Sequence, residues 1–376
     1  MIYHSRGVVG VIGPWNWPLL NNFGDAIAPL IAGNAVVLKP SPLTPLTSLR
    51  MAELWRDAGL PPDVFQVVTG GPETGAALVD AVDLVFFTGS TQIGREVAKR
   101  GAERLIPVIL ELGGKSPMIV LADADLPRTA RAAVWSAFAN CGQVCIRTER
   151  VLVDRRVATA FLRLAVEAAA QLRQGASPRS DEFDIGPTVQ HARIEYLQHQ
   201  IADAVSRGAR VALGGSRRSD LGPGFLSPTI LADCEPAMSV MREETFGPLL
   251  PIMSVDDEEH AIRVANDPPG GLSGSVWSRD VARARAVARR LETGSVCLND
   301  ALVSYMCVEA PLAGARSSGL GFRHGPEALR QFCRIETIIE DAPILGLASK
   351  RVANYLQFPY RREVLRLLRW VMRNRY

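Results

Sequence analysis

Histidine is scarce in this chain, five residues in 376, and its six cysteines stand at 141, 145, 234, 297, 307 and 333. No CxxC pair or Cys/His ligand spacing links them, which argues against a bound metal. Their scatter is not a disulfide framework, a device of small secreted domains, so they read as reduced thiols of a cytoplasmic compartment. The N-terminus carries no charged region, apolar stretch and cleavage site in succession, hence no secretory signal. No apolar run approaches the ~18 residues that would span a bilayer. Excess charge is also small, +3 overall. Residues 351–376 hold seven Arg and one Glu, a local +6. The remainder therefore sums to −3, and no nucleic-acid partner is expected.

What is present is apolar and regular. Hydrophobic residues make up 47% and charged residues 22%, as in globular proteins with a sizeable core, and the length suits two domains. Short apolar, largely β-branched runs at Val8–Ile12, Ala35–Leu38, Val64–Val68, Leu84–Phe87 and Pro107–Leu110 predict strands. Helical segments separate them, such as Leu43–Ala58, which Gly59 and Pro61 close. Continuous apolar strands alternating with helices predict an α/β fold, a doubly wound parallel sheet covered on both faces. Its ligand is expected outside the carboxyl ends of the strands. A second α/β unit follows, with helices predicted at Asp125–Asn140 and His191–Arg207 and strands at Arg150–Val153 and Ser295–Leu298. The expected division is a cofactor domain over 1–113, a catalytic domain over 114–316, an arm over 317–345 and a tail over 346–376.

Five stretches carry candidate chemistry: Gly13-Pro-Trp-Asn-Trp-Pro18, Phe87-Thr-Gly-Ser-Thr91 with Gly94, Leu110-Glu-Leu-Gly-Gly-Lys115, Gly142-Gln-Val-Cys145 with Arg150, and Glu243-Glu-Thr-Phe-Gly-Pro248. Taken singly, each has a plain reading: Cys145 a small buried hydrophobe, Glu111 a solvated strand end, Asn16 a turn former, Gly70–Gly75 a loop. As an ordered set, from about residue 7 to about 340, they resemble the NAD(P)-dependent aldehyde dehydrogenase superfamily. The resemblance implies that Cys145 is the nucleophile, that Glu111 is the general base for the thiol or for the hydrolytic water, and that Asn16 joins the Cys145 backbone N–H in an oxyanion hole. It also implies a site for NAD or NADP. Lys39 would reach the adenosine ribose, Ser90 between Gly89 and Gly94 the pyrophosphate at a helix start, and Glu244 the nicotinamide ribose. Phe246 and Trp15 would lie beside the cofactor, and Gly113 would allow close backbone approach. Cys141 does not match the nucleophile position and is expected to be structural.

Departures from the family pattern matter as well. Pro42 stands where many relatives have a ribose-binding Glu, so NADP is expected to be tolerated alongside NAD. Gly24 and Ala139 stand where succinate-semialdehyde dehydrogenases of the common type carry Arg, which favours an apolar aldehyde. Trp17, Leu20, Phe23 and Ile146 are candidates for its channel. Arg323 takes a place where some relatives have Glu. Relatives carry a longer N-terminal segment, so the chain is expected to be an N-terminally truncated form. In the tail, Arg362, Arg366, Arg369 and Arg373 oppose Val364, Leu365, Leu368, Val371 and Met372, a basic amphipathic helix. Peripheral membrane contact through 361–376 is the functional expectation, and docking on the same subunit or a partner is the plainer one. The resemblance thus implies oxidation of a small-molecule aldehyde to its acid, in a homo-oligomer. The rival expectations are a catalytically silent cofactor- or partner-binding subunit and a dehydrogenase that releases acyl-CoA, the latter disfavoured by Glu111.

Overall fold

In the computed structural model, residues 1–177, 182–339 and 362–374 are described. The part of the expected arm over 340–345 and the part of the expected tail over 346–361 lie outside them. The described residues fall into two units, those within His4–Arg334 and Met1–Tyr3 with those from Ile335 on.

Within His4–Arg334 the first sheet contains β1 (Val8–Ile12), β2 (Ala35–Lys39), β3 (Phe65–Val67), β4 (Leu84–Thr88) and β5 (Val108–Glu111). They pair in parallel in the order β5-β4-β1-β2-β3. The predicted alternation is realised because the strands are buried on both faces: every residue of β4 is buried. A short segment from far downstream, Gly319–Leu320, adds to the edge antiparallel to β5, opposite Glu111 and Leu110. The crossovers are α1 (Pro18–Ile31), α2 (Pro45–Asp57), α3 (Pro72–Ala81) and α4 (Thr91–Glu103). Three of these open on proline, whose fixed φ suits a first helical position. Gly59, at φ +90°, follows α2 in a left-handed conformation that glycine adopts without strain.

The second sheet contains β6 (Pro117–Val120), β7 (Arg150–Asp154), β8 (Arg210–Leu213), β9 (Thr229–Ala232), β10 (Leu249–Val255), β11 (Ser273–Trp277) and β12 (Ser295–Leu298). Their order is β12-β11-β6-β7-β10-β9-β8, parallel except for β8. Helix α5 (Leu126–Phe138) is capped by Asp125, whose carboxylate accepts from the Arg128 N–H, and α6 (Ala158–Ala169) packs on it. Helix α7 (Arg193–Ser206) lies across the same half of the unit, with Ile194, Leu197 and Ile201 in its core.

One buried ionic cluster ties this sheet to the loop that follows the first. Glu149 receives Lys115 Nζ at 2.5 Å and pairs with Arg147 at 2.6 Å. Its carboxylate also accepts from the backbone N–H groups of Thr245 and Phe246. Burial alone would raise the Glu149 pKa, but Arg147 and Lys115 outweigh it and hold the group at about 2. A depressed carboxyl adds stability above its unfolded value, about 4.3, and loses it as pH falls toward the folded value. Glu149→Gln leaves two buried cations without their partner, at a cost of about 3–5 kcal/mol. Urea unfolding at pH 7 should show that deficit, and it should narrow between pH 4.5 and 2. A deficit below about 1 kcal/mol, or one independent of pH, would contradict the role given to Glu149.

Candidate active site

The carboxyl ends of the first sheet open into a cavity of about 1000 Å³. Its walls include Asn16, Lys39, Glu111 and Cys145, with Trp15, Gly89, Ser90, Gly113, Glu244 and Phe246 around them. Residues separated by more than 200 positions are thus gathered on one surface. Gly94 does not line the cavity. It lies in the first turn of α4 with its Cα against Leu112, where an added Cβ would stand 2.5 Å from a methyl group.

Cys145 reaches the cavity through a contorted approach. Asn140 and Cys141 are left-handed, and Gly142 has φ +70° with room for no side chain: a Cβ there would fall 2.2 Å from the Gly247 carbonyl oxygen. Val144 and Ile146, on either side of Cys145, are buried with Leu272 and Leu302, and Trp17, Ala139 and Tyr305 pack on this cluster beside Cys145 itself. Burial pushes the Cys145 thiol up to about 11, although Arg323 favours the thiolate. The adjacent base expected at Glu111 therefore does not give the thiol a low resting pKa. Cys141 is wholly buried and pushed to about 12, an inert packing thiol.

Glu111 closes β5 beside Thr88, its partner in register on β4. It is 4% exposed, not a solvated rim residue, and one carboxyl oxygen has no hydrogen-bond partner. Burial raises its pKa to about 8, with Arg323 opposing and Asp25 adding to the rise. A carboxyl so placed takes up a proton near neutrality, the property of a general base.

Asn16 precedes Trp17, which caps α1 at φ +45°. Its amide Nδ2 donates to the Gln143 carbonyl at 3.1 Å, and its own carbonyl accepts from Asn21 Nδ2 at 2.8 Å. The side-chain amide is thereby held at Gln143, which stands two residues before Cys145, with one N–H engaged.

The remaining wall fits a dinucleotide. Ser90 caps α4, accepting from the Ile93 N–H, so the end of a thirteen-residue helix faces the cavity. Lys39 extends past Gly75, and its Nζ donates to the Pro40 and Gly70 carbonyls. Pro42 and Ser41 stand nearby with no carboxylate between them. Glu244 accepts from the Gly114 N–H at 3.2 Å, and its carboxyl occupies the space that a Cβ on Gly113 would take, 2.1 Å away. Burial lifts Glu244 to about 7. Trp15 and Phe246 meet edge to face at 5.5 Å.

Other expectations need correction. Phe23 faces Trp55 on α2, ring to ring at 4.5 Å, and Leu20 is half exposed, so neither belongs to the cluster at Cys145. Residues missed by motif reading include Arg193, which lines the cavity and donates to the Glu244 and Thr245 carbonyls, and the pair Asp25–Arg323, 2.8 Å apart. The only hint of that pair was a lone acid in an otherwise uncharged helix.

The family model described as "Aldehyde dehydrogenase family" matches residues 1–338. A Mycobacterium tuberculosis protein provisionally named succinate-semialdehyde dehydrogenase [NADP(+)] 2 is 39% identical over 338 residues, covering 89% of this chain and 65% of that protein. The 4,4'-diapolycopene aldehyde oxidase of Methylomonas sp is 42% identical over 345 residues, covering 92% and 62% respectively. Among solved structures, a Mycobacterium tuberculosis aldehyde dehydrogenase complexed with NAD+ aligns with TM-score 0.86 at 37% identity, covering 90% of this chain and 70% of that one. The chain thus spans about two thirds of the length of the curated relatives it matches.

Because the folded pKa of Glu111 lies above its unfolded value, stability from its proton is full below about pH 4.3 and is lost as pH rises toward 8. Glu111→Gln, which keeps shape without charge, should match the native chain at about pH 4. At pH 9 it should exceed it by on the order of 2–4 kcal/mol. Thermal melts of both proteins at the two pH values give the comparison, and a difference that does not change with pH would refute the burial argument.

Proposed function

The chain belongs to the aldehyde dehydrogenase family, and from that membership we propose that it oxidises an apolar aldehyde to the carboxylic acid through a covalent adduct on Cys145. The observation that carries the reading is the convergence of Cys145, Glu111 and Asn16 on one cavity beside a dinucleotide-shaped wall. Glu111 accepts the Cys145 proton, directly or through water, and the thiolate attacks the aldehyde carbon to give a thiohemiacetal. The Cys145 backbone N–H and the Asn16 amide receive the resulting oxyanion. NAD or NADP, when bound, supplies the acceptor for the hydride that the former aldehyde carbon gives up. Cys145 then carries the acyl group as a thioester; Glu111, having released its first proton to solvent, takes a proton from the water that attacks the thioester and returns it to the departing thiolate, so that the thiol is restored and the acid is released. Ser90, Lys39 and Glu244, with Trp15 and Phe246, hold the dinucleotide. Pro42 in place of a carboxylate removes one repulsion against a 2′-phosphate, with Glu73 the acidic group that still acts on Lys39, and both cofactors are accommodated.

The apolar preference rests on the surroundings of Cys145. Trp17, Ile146, Leu302 and Tyr305 form that side of the site, and the nearby Arg323 is already paired with Asp25. A substrate carboxylate would meet no free cation in this cluster and would be desolvated at a cost. The name of the Methylomonas relative fits this preference, and that of the Mycobacterium relative does not.

Full-length recombinant chain with NAD and NADP and a panel of aldehydes should generate reduced nicotinamide. Cys145→Ser should abolish that signal, and Asn16→Ala should lower kcat by about 10²–10³. Alkyl aldehydes should exceed succinic semialdehyde in kcat/KM by about tenfold or more. Full activity of Cys145→Ser ends the assignment. Stabilisation by cofactor without aldehyde consumption favours the silent-subunit reading, and an acyl-CoA product on addition of coenzyme A favours the third.

We also propose that the tail helix Arg362–Asn374 attaches to anionic membrane. Arg362, Arg366, Arg369 and Arg373 follow one face, and Leu365, Val371 and Met372 are exposed on the other. That distribution complements acidic headgroups above an apolar layer. The chain should sediment with phosphatidylserine-containing vesicles and not with neutral ones, and Arg366→Glu with Arg369→Glu should release it. Equal sedimentation of the charge-reversed chain would dismiss the idea.

A further inference from the structure

Asp25 is the one charged residue of α1, and it is 2% exposed. Its partner Arg323, 298 positions later, is equally enclosed. Arg323 Nε lies 2.8 Å from Asp25 Oδ1, and Nη2 donates to Asp25 Oδ2 and to Thr88 Oγ1, both at 2.9 Å. The Thr88 hydroxyl in turn donates to Asp25 Oδ2. The Phe86 and Tyr305 rings flank the guanidinium at 5.7 and 5.6 Å. A further thread runs to the amide at the site: Arg323 Nη1 and the Tyr305 hydroxyl both donate to Asn21 Oδ1, and Asn21 Nδ2 donates to the Asn16 carbonyl.

This pair is not a receptor for a substrate carboxylate, since its positive half is enclosed and already neutralised. Nor is stability its evident use, because taking two charges out of water commonly costs more than an apolar pair of equal volume. Its place is telling. Thr88, which holds both partners, stands beside Glu111 in strand register, and Tyr305 packs with the cluster that contains Cys145.

We propose that Arg323, clamped by Asp25 and Thr88, is a positioning residue that keeps a permanent positive charge behind Cys145 and Glu111 and fixes the seat of Asn16. The inference rests on the reading of Cys145 as nucleophile. The electrostatics agree with the geometry. Against burial, Arg323 is the leading charge that favours ionisation of both the thiol and the Glu111 carboxyl. Glu111 and Glu244 act on the thiol in the opposite sense. Burial works against the guanidinium charge as well, but Asp25, ahead of Tyr305, Glu111 and Cys145, holds its pKa well above the ordinary arginine value. The cation is therefore present at every accessible pH, while Asp25 keeps it from swinging into the cavity.

The test uses the full chain without cofactor or aldehyde. Cys145 is alkylated by iodoacetamide at pH 8, and its peptide is followed by mass spectrometry, with exposed Cys307 as internal control. Arg323→Gln alone strands a buried carboxylate, so the decisive variant is Arg323→Gln with Asp25→Asn, a neutral pair of similar shape whose folding is checked by thermal melt. Its Cys145 rate should fall at least about tenfold, the change that one pKa unit makes in the thiolate fraction, with Cys307 unaffected. Arg323→Lys, which keeps charge and loses the fork, should return the rate to within about threefold while kcat for aldehyde stays low and cofactor affinity is unchanged. A folded double variant with an unaltered Cys145 rate overturns the proposal, and so does failure of the Lys variant to restore it. Slowed alkylation together with a fully active Cys145→Ser chain would retain the field and reject the nucleophile.

Discussion

Glu149 and Glu111 are both sealed from water, and the difference between them organises the molecule. Glu149 lies between Lys115 and Arg147 and accepts two backbone N–H groups, so its charge is satisfied and its carboxyl stays ionised at about 2. Glu111 has no such partner within bonding distance, and its carboxyl rises to about 8. The first group is a fastener, drawing the Thr245–Phe246 backbone toward the loop that follows β5 and so bringing Glu244 against Gly113 and Gly114. The second is held short of satisfaction in a cavity that the fastener helps to shape. Desolvation is the common constraint, and compensation at one place permits its absence at another.

The same logic separates the cysteines. Cys141 and Cys145 are four residues apart and both carry elevated pKa values, yet only the second faces the cavity. The left-handed stretch at Asn140–Gly142 accounts for the split, since it reverses the chain between them. Gly142 is the position that cannot change, because the Gly247 carbonyl occupies the volume of any side chain there.

Much of this was legible in the residues. The runs from Val8 to Leu110 became parallel strands with ends moved by at most one position, because a strand buried on both faces must be apolar throughout. The site residues expected from the motifs, other than Gly94, line one cavity, while Gly94 stands against Leu112. What escaped is of one kind: contacts between distant segments that leave no local pattern. Asp25 and Arg323 are 298 positions apart, and the Gly319–Leu320 edge strand lies some 200 residues from its neighbour Glu111. Phe23 packs on Trp55, a partner the residues alone did not indicate, because apolar character identifies burial but not which neighbour a helix face meets. Arg323 looked like a defect in the family pattern; only its partner Asp25 reveals a matched pair.

At neutral pH the resting site is therefore an uncharged thiol next to a largely protonated carboxyl, with one internally neutralised ion pair behind them. A thiol at about 11 is ionised to roughly one part in ten thousand at pH 7. That is a poor nucleophile but a durable one, since oxidation follows thiolate character. On the proposed reading of Cys145 as nucleophile, reactivity arises when the balance of burial and charge around it changes. Two of the groups that bear on it, Glu111 and Glu244, have pKa values of about 8 and about 7, so a modest change in surroundings alters how many protons they hold. Arg323 does not titrate and Asp25 keeps it still. A fixed cation among groups poised to gain or lose protons gives each of those transfers a constant reference, and this ties a buried pair at the end of β4 to the chemistry of a thiol on another element.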